Sequence, residues 1–141
     1  MILEKENQKP HLPEAEALAL LNDPLRSPYE REQGLHALAA DPTPAHIERL
    51  LEALEDNQFG IRWTAAAALA EMGERALVPL LQLLIRQHDS VWLREGAYHI
   101  CYYSSSPKVT AQTQALRKAL RGPAAEVVTT DEAVKLLQQL L

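Results

Sequence analysis

The sequence predicts an all-α protein: a right-handed α–α superhelix, or solenoid, of about four helical hairpins. Three observations carry that expectation. Hydrophobic residues make up 47% of the chain, and they are mostly Leu and Ala, with aromatic residues at only 5%. Such a mix favours helix over strand. Helical stretches alternate with short breakers along nearly the whole chain. An arginine also recurs at equivalent places, Arg31, Arg62 and Arg94, at spacings of 31 and 32 residues. A period in that range is the mark of a stacked repeat.

Taken in order, residues 1–13 read as a polar N-terminal arm and residues 14–141 as a single repeat domain, with units near 14–41, 42–73, 74–106 and 107–141. Glu14–Leu21 is helical and stops at Asn22-Asp23-Pro24, because proline disfavours helix at the residue before it. Ser27 is an N-cap for Pro28–Ala40, with Pro28 in the first turn where its missing N–H costs nothing. Asp41-Pro42-Thr43-Pro44 breaks the chain before a helix from Pro44 to Glu55. The next helix runs from Phe59 to Met72, and Gly73 is its C-cap. Arg75–Gln87 follows, with Pro79 as a kink or a late start. His88-Asp89-Ser90 separates it from Val91–Tyr103. After Ser104-Ser105-Ser106-Pro107 the pattern predicts one helix over Lys108–Arg121, then a break at Gly122-Pro123. Thr130 or Asp131 is read as the cap of a last helix, which carries Leu residues to its end.

Composition narrows the function classes. The formal net charge is −5 and the pI about 5.5, which works against a partner bound through its phosphates. Cys101 is the single cysteine, so neither an intramolecular disulfide nor a multi-cysteine metal site is expected. The longest apolar run, Ala76 to Ile85, is interrupted by Pro79 and Gln82 and is too short to span a bilayer. No signal peptide is expected at the N-terminus, and a cytoplasmic location follows as the default. No cofactor and no metal site are expected.

The middle unit holds an acidic turn at Asp56, then Ile61-Arg62, then the Ala-rich stretch through Leu69 to Gly73. This pattern resembles the short HEAT-like repeats of phycobilisome-lyase-type proteins. The unit around Arg94 shares it in part, the unit around Arg31 loosely, and Lys108–Leu141 only as a pair of helices. The resemblance implies a HEAT/armadillo-type solenoid. It says little about function, since such repeats serve many partners.

Each arginine is preceded by an acidic turn residue: Asp23 before Arg31, Asp56 before Arg62, Asp89 before Arg94. A planar guanidinium suits a hydrogen-bonded contact between repeats, so these six residues are read as a structural ladder rather than a ligand stripe. Gly34, Ala65 and Ala97, three residues after the arginines, are spacers for close helix packing. At 100° per residue, Ile61, Ala65, Ala68 and Leu69, and likewise Leu93, Ala97, Ile100 and Cys101, share the core face. The opposite face carries Glu32, His36, Trp63, Glu95, His99 and Tyr102, and is the candidate partner-binding groove.

Glu32/His36 and Glu95/His99 stand one turn apart in equivalent units. Each offers two ligands, short of the usual zinc complement, so both are read as solvated Glu–His pairs. Trp63 is the stronger functional candidate, because large aromatics are enriched at binding hot spots. Trp92 is read as a staple at its helix start. Tyr98, Tyr102 and Tyr103 are read as packing under the Ser104–Pro107 loop. Together these features point to a non-catalytic adaptor or scaffold whose partner is another protein. The resemblance leaves two further readings: a chromophore lyase subunit or chaperone, and, with less support, a HEAT-like DNA glycosylase. A weak homodimer through the apolar C-terminal helix is a separate expectation.

Overall fold

A computed structural model describes residues 12–87 and 89–141. Most of the N-terminal arm expected over 1–13, and His88 of the expected break, lie outside the described residues. Among those residues there are only helices: α1 (Glu14–Asn22), α2 (Pro28–Ala40), α3 (Pro44–Glu52), α4 (Phe59–Glu71), α5 (Glu74–Arg86), α6 (Val91–Tyr102), α7 (Pro107–Gln112), α8 (Gln114–Leu120) and α9 (Ala125–Leu140), with a 3-10 turn, Ala53–Glu55, closing α3. No helix among the described residues is long and apolar enough to cross a membrane.

Local chemistry sets most of the boundaries. Ser27 and Glu30 form a reciprocal capping box at the start of α2, satisfying two otherwise unpaired amides. Thr43, Ser90 and Ser106 accept the equivalent amide bond at the starts of α3, α6 and α7. Gly73 joins α4 to α5 at φ +60°, a region that side chains with a Cβ rarely enter. Helix α5 starts directly after it and carries Pro79 inside, so the proline neither delays nor ends the helix.

The helices form two layers. α2 packs on α4, and α4 on α6, giving a row of second helices; α3 and α5 lie behind them. The core face expected from the 3.6-residue period is the buried one: Ile61, Ala65, Leu69, Leu93, Ala97 and Cys101 are all fully buried. Burial pushes the Cys101 thiol up to about 12, so it stays protonated and unreactive. Gly34 meets the backbone of α1 so closely that a Cβ there would collide with the Ala17 carbonyl oxygen.

The ladder residues divide. The Arg31 guanidinium is buried and ties three elements together. Its Nε and Nη2 donate to the Leu21 carbonyl at the end of α1 (2.9 and 2.7 Å), and its Nη1 and Nη2 donate to the Asp56 carboxylate before α4 (2.8 and 2.7 Å). Asp56 also accepts from the Gln58 amide at 2.9 Å. Arg62 donates to the Asp56 carbonyl at 2.7 Å, and its guanidinium carbon lies over Trp92, 4.0 Å from the ring centroid. Trp92 is therefore a stacking partner for the ladder rather than only a staple. Asp56 is met by the arginine of the preceding repeat, and Asp23 makes no hydrogen bond to a ladder arginine among the described residues. It instead pairs with Arg26, three residues on. Asp89 sits in the turn before α6.

The fourth unit departs from expectation in two ways. The helix expected over Lys108–Arg121 breaks at Thr113, whose hydroxyl donates to the Val109 carbonyl at 2.8 Å. Such back-bonding competes with the helical ladder. The last helix starts at Ala125, not at Thr130 or Asp131. Ala124 takes a left-handed conformation (φ 54°) directly before it, and the Thr130 hydroxyl bonds back to the Glu126 carbonyl in mid-helix. As a result α8 continues the inner row against α6, while α9 crosses to pack on α5 and α8. Thr129, Ala133 and Leu136 of α9 are buried in doing so.

Two measurements check this framework. Asp56→Ala leaves a buried guanidinium unpaired and is expected to lower urea-unfolding stability by about 3 kcal/mol at neutral pH. Burial alone would raise the Asp56 carboxyl, but the Arg31 and Gln58 hydrogen bonds and the Arg31 and Arg49 charges outweigh it and hold it below its ordinary value. The ion pair's contribution is thus present above the ordinary value of 3.8 and lost as pH falls through the lower folded-state value, so the mutational penalty should shrink in acid. Gly34→Ala should destabilise by about 1–3 kcal/mol through overpacking against α1, read from the same urea midpoints.

Candidate functional site

The row formed by α2, α4 and α6 presents two open clefts that share one residue, Trp63. The first, about 870 Å³, is lined by His36, Ala39, Thr64, Ala67, Glu71 and Arg75 among others. The second, about 840 Å³, is lined by Arg94, Glu95, Tyr98, His99, Tyr102 and Tyr103, and is walled by Leu120, Arg121 and Ala125 at the α8–α9 turn. The fourth unit therefore builds one end of the second cleft.

From Phe59 through Trp63 and into the second cleft runs a continuous series of rings. Phe59 stacks on Trp63 one helical turn away (6.3 Å between centroids), and Trp63 meets His99 of the next repeat at 4.3 Å. His99 leads to Tyr103 at 4.7 Å, Tyr103 to Tyr102 at 4.8 Å, and Tyr102 to Tyr98 at 5.8 Å. Guanidinium groups flank the series. Arg121 lies 3.5 Å from the Tyr98 centroid, Arg117 lies 5.7 Å from Tyr102, and Arg62 lies 5.7 Å from Phe59. Despite these mutual contacts, Trp63 remains 53% exposed, Tyr102 48% and Tyr103 61%. Aromatic area of this kind left open to water is what a partner would cover.

The chain belongs to the HEAT repeat family. Its family match, described as HEAT repeats, covers residues 15–100, the stretch from α1 to near the end of α6. Comparison with curated proteins and with solved structures returns no match.

Within this HEAT repeat protein the expected groove residues are brought onto one surface, but not in the expected pairs. Among the described residues neither Glu32/His36 nor Glu95/His99 forms an ion pair or hydrogen bond. Glu32 instead accepts from the Thr64 hydroxyl of the next repeat at 3.3 Å. His99 is held between Trp63 and Tyr103, and burial there lowers its pKa from the ordinary 6.5. His36 and Glu95 are exposed. No group of three or more His, Cys, Asp or Glu side chains among the described residues could hold a metal ion.

The tyrosines correct another expectation. Tyr102 and Tyr103 do not pack under the Ser104–Pro107 loop; they face the cleft. The loop turns the other way and docks on the end of α4, where the Ser105 amide and hydroxyl donate to the Ala70 and Glu71 carbonyls at 2.9 and 2.8 Å. Phe59 and Arg121 were absent from the expected site. Phe59 is four residues before Trp63 and so shares its helix face, a signal present in the sequence. Arg121 comes from across the α8–α9 turn and had no local signal. His46 likewise escaped notice: it is buried behind the groove, its Nδ1 2.6 Å from the Asp41 carbonyl and its Nε2 3.5 Å from Glu14.

The His99 environment yields a direct measurement. A depressed pKa means that unfolded chains bind the proton more readily, so this residue's contribution is intact above 6.5 and is lost as pH falls. An NMR titration of the His99 ring should give a midpoint below 6.5 in the native protein, moving back towards 6.5 in Trp63→Ala.

Proposed function

We propose that the protein is a non-catalytic, cofactor-free adaptor or scaffold of the cytoplasm that grips another protein along the face of α2, α4 and α6. The observation that carries this reading is the exposed ring series centred on Trp63, at the junction of both clefts. HEAT repeats commonly serve as protein-interaction scaffolds. Rigid, amphipathic aromatics bury much area at small entropic cost, which is why they dominate interface energetics.

The glycosylase reading draws less support from the same surface. Glu32, Glu71 and Glu95 stand along the face that a phosphate backbone would have to approach, and net charge is −5. The likeness to phycobilisome-lyase-type repeats rests on the Asp-turn and arginine pattern, which is engaged here in holding repeats together. It therefore lends a chromophore-handling role little weight. For a homodimer through α9, Ala133 and Leu136 are already used internally, leaving Val127, Val128 and Leu141 as exposed apolar contacts.

The reading is tested by placing a photo-crosslinking amino acid at Thr64, beside Trp63, and comparing adducts with and without Trp63→Ala. Trp63→Ala should weaken partner binding by about 2 kcal/mol or more while leaving the urea midpoint nearly unchanged. Adduct formation that ignores Trp63 would contradict the proposal.

A further inference from the structure

We infer that copies of this chain associate head to tail, the α8 cations of one copy meeting the α3 carboxylates of the next. The inference goes beyond the adaptor reading and does not depend on it.

Charge is unevenly spread along the chain. Residues 12–58 hold ten carboxylates against three Lys or Arg, whereas the stretch between Glu95 and Glu126 holds four cations and no carboxylate. The two regions also differ in how their cations are satisfied. Arg26, Arg31 and Arg49 each meet a carboxylate of their own region, at 3.1, 2.7 and 3.9 Å. Among the described residues Lys108, Arg117, Lys118 and Arg121 meet none. Arg121 lies over the Tyr98 ring, 3.5 Å from its centroid, and Arg117 donates to the Thr110 carbonyl at 3.0 Å. Counter-charge for this set has to come from outside the fourth unit.

Position turns the uneven charge into two ridges of opposite sign. Glu48, Glu52 and Glu55 stand four and three residues apart along α3 and the 3-10 turn that closes it, so they share a face. Glu48 and Glu52 are exposed, and Glu55 is half-buried. Arg49, the one Lys or Arg of α3, donates instead to Asn22 at 2.8 Å. On α8, Lys118 and Arg121 are exposed and stand one turn apart. Like charges at that spacing repel, and contact between the two ridges relieves both.

Topology decides the mode of association. α8 continues the inner row, and α3 lies in the outer layer two units earlier. A two-fold dimer would have to bring both contacts into one interface, which ridges on opposite layers do not permit. The contact is therefore heterologous, and each assembly keeps one free ridge at either end, so growth continues past the dimer. An acidic protein or a nucleic acid would also neutralise α8, but a second copy uses both ridges at once.

The test is sedimentation equilibrium of the full chain over a concentration series, at about 20 mM and about 500 mM salt. Weight-average mass should climb past the dimer at low salt and return to the monomer at high salt, where surface charges are screened within about 4 Å. Lys118→Glu/Arg121→Glu and Glu52→Lys/Glu55→Lys should each be monomeric alone, with unchanged circular dichroism. Their equimolar mixture should form a one-to-one dimer and nothing larger, because each variant retains one working ridge. The milder pairs Lys118→Gln/Arg121→Gln and Glu52→Gln/Glu55→Gln should each weaken association about tenfold, a readout that survives if a reversed variant fails to fold. A wild-type chain that stays monomeric at low salt, stops at a dimer, or associates equally at high salt overturns the inference. Association of either reversed variant alone overturns it too, as does a mixture that stays monomeric. Saturable binding of an oligouridine through Lys118 and Arg121 by a chain that does not self-associate would assign α8 to nucleic acid instead. No partner protein enters the experiment, so its failure leaves the Trp63 reading standing.

Discussion

One guanidinium holds the first half of the molecule in register. Arg31 reaches from α2 to the end carbonyl of α1 and to the Asp56 carboxylate before α4, so three segments meet at a single planar group. The arrangement is buried, and its cost in lost hydration is met by bonds to a carboxylate and a carbonyl in good geometry. Asp56 in turn fixes the Gln58 amide and offers its own carbonyl to Arg62. The start of α4, and with it the direction in which Trp63 points, follows from this one junction.

The next arginine along the row engages a ring as well. Arg62 bonds the turn behind it and lays its other face on Trp92 of the following repeat. From α4 onward the inner row carries Phe59, Trp63, His99 and the three tyrosines, and the arginines that flank them are held by stacking. Scaffold and surface are therefore built from the same contacts: the ladder that stacks the repeats also orients the rings.

The fourth unit departs from the geometry of the units before it. A break at Thr113 and a left-handed residue at Ala124 send α8 into the inner row and α9 across the outer one. Ala133 and Leu136 of α9 are buried where that helix packs on α5 and α8. The same turn brings Arg121 and Leu120 to the mouth of the cleft on α6. The α8–α9 turn thus supplies one wall of the candidate site.

The sequence by itself determined the helical class, the repeat length and the buried face of each second helix, because these depend on periodicity, capping residues and proline placement, all of which act within a few residues. It also placed Trp63 on the open surface. Tertiary structure alone decided which carboxylate meets which arginine, since Asp56 lies 25 residues from Arg31 and Asp23 pairs with Arg26. It decided that Glu32 turns to Thr64 and His99 to Trp63 rather than to each other's neighbours on the same helix. It also decided that Tyr102 and Tyr103 face the cleft, because the Ser104–Pro107 loop finds its hydrogen bonds on α4. Contacts between repeats outrank contacts along one helix wherever they bury more of a side chain, and a linear pattern does not record that competition.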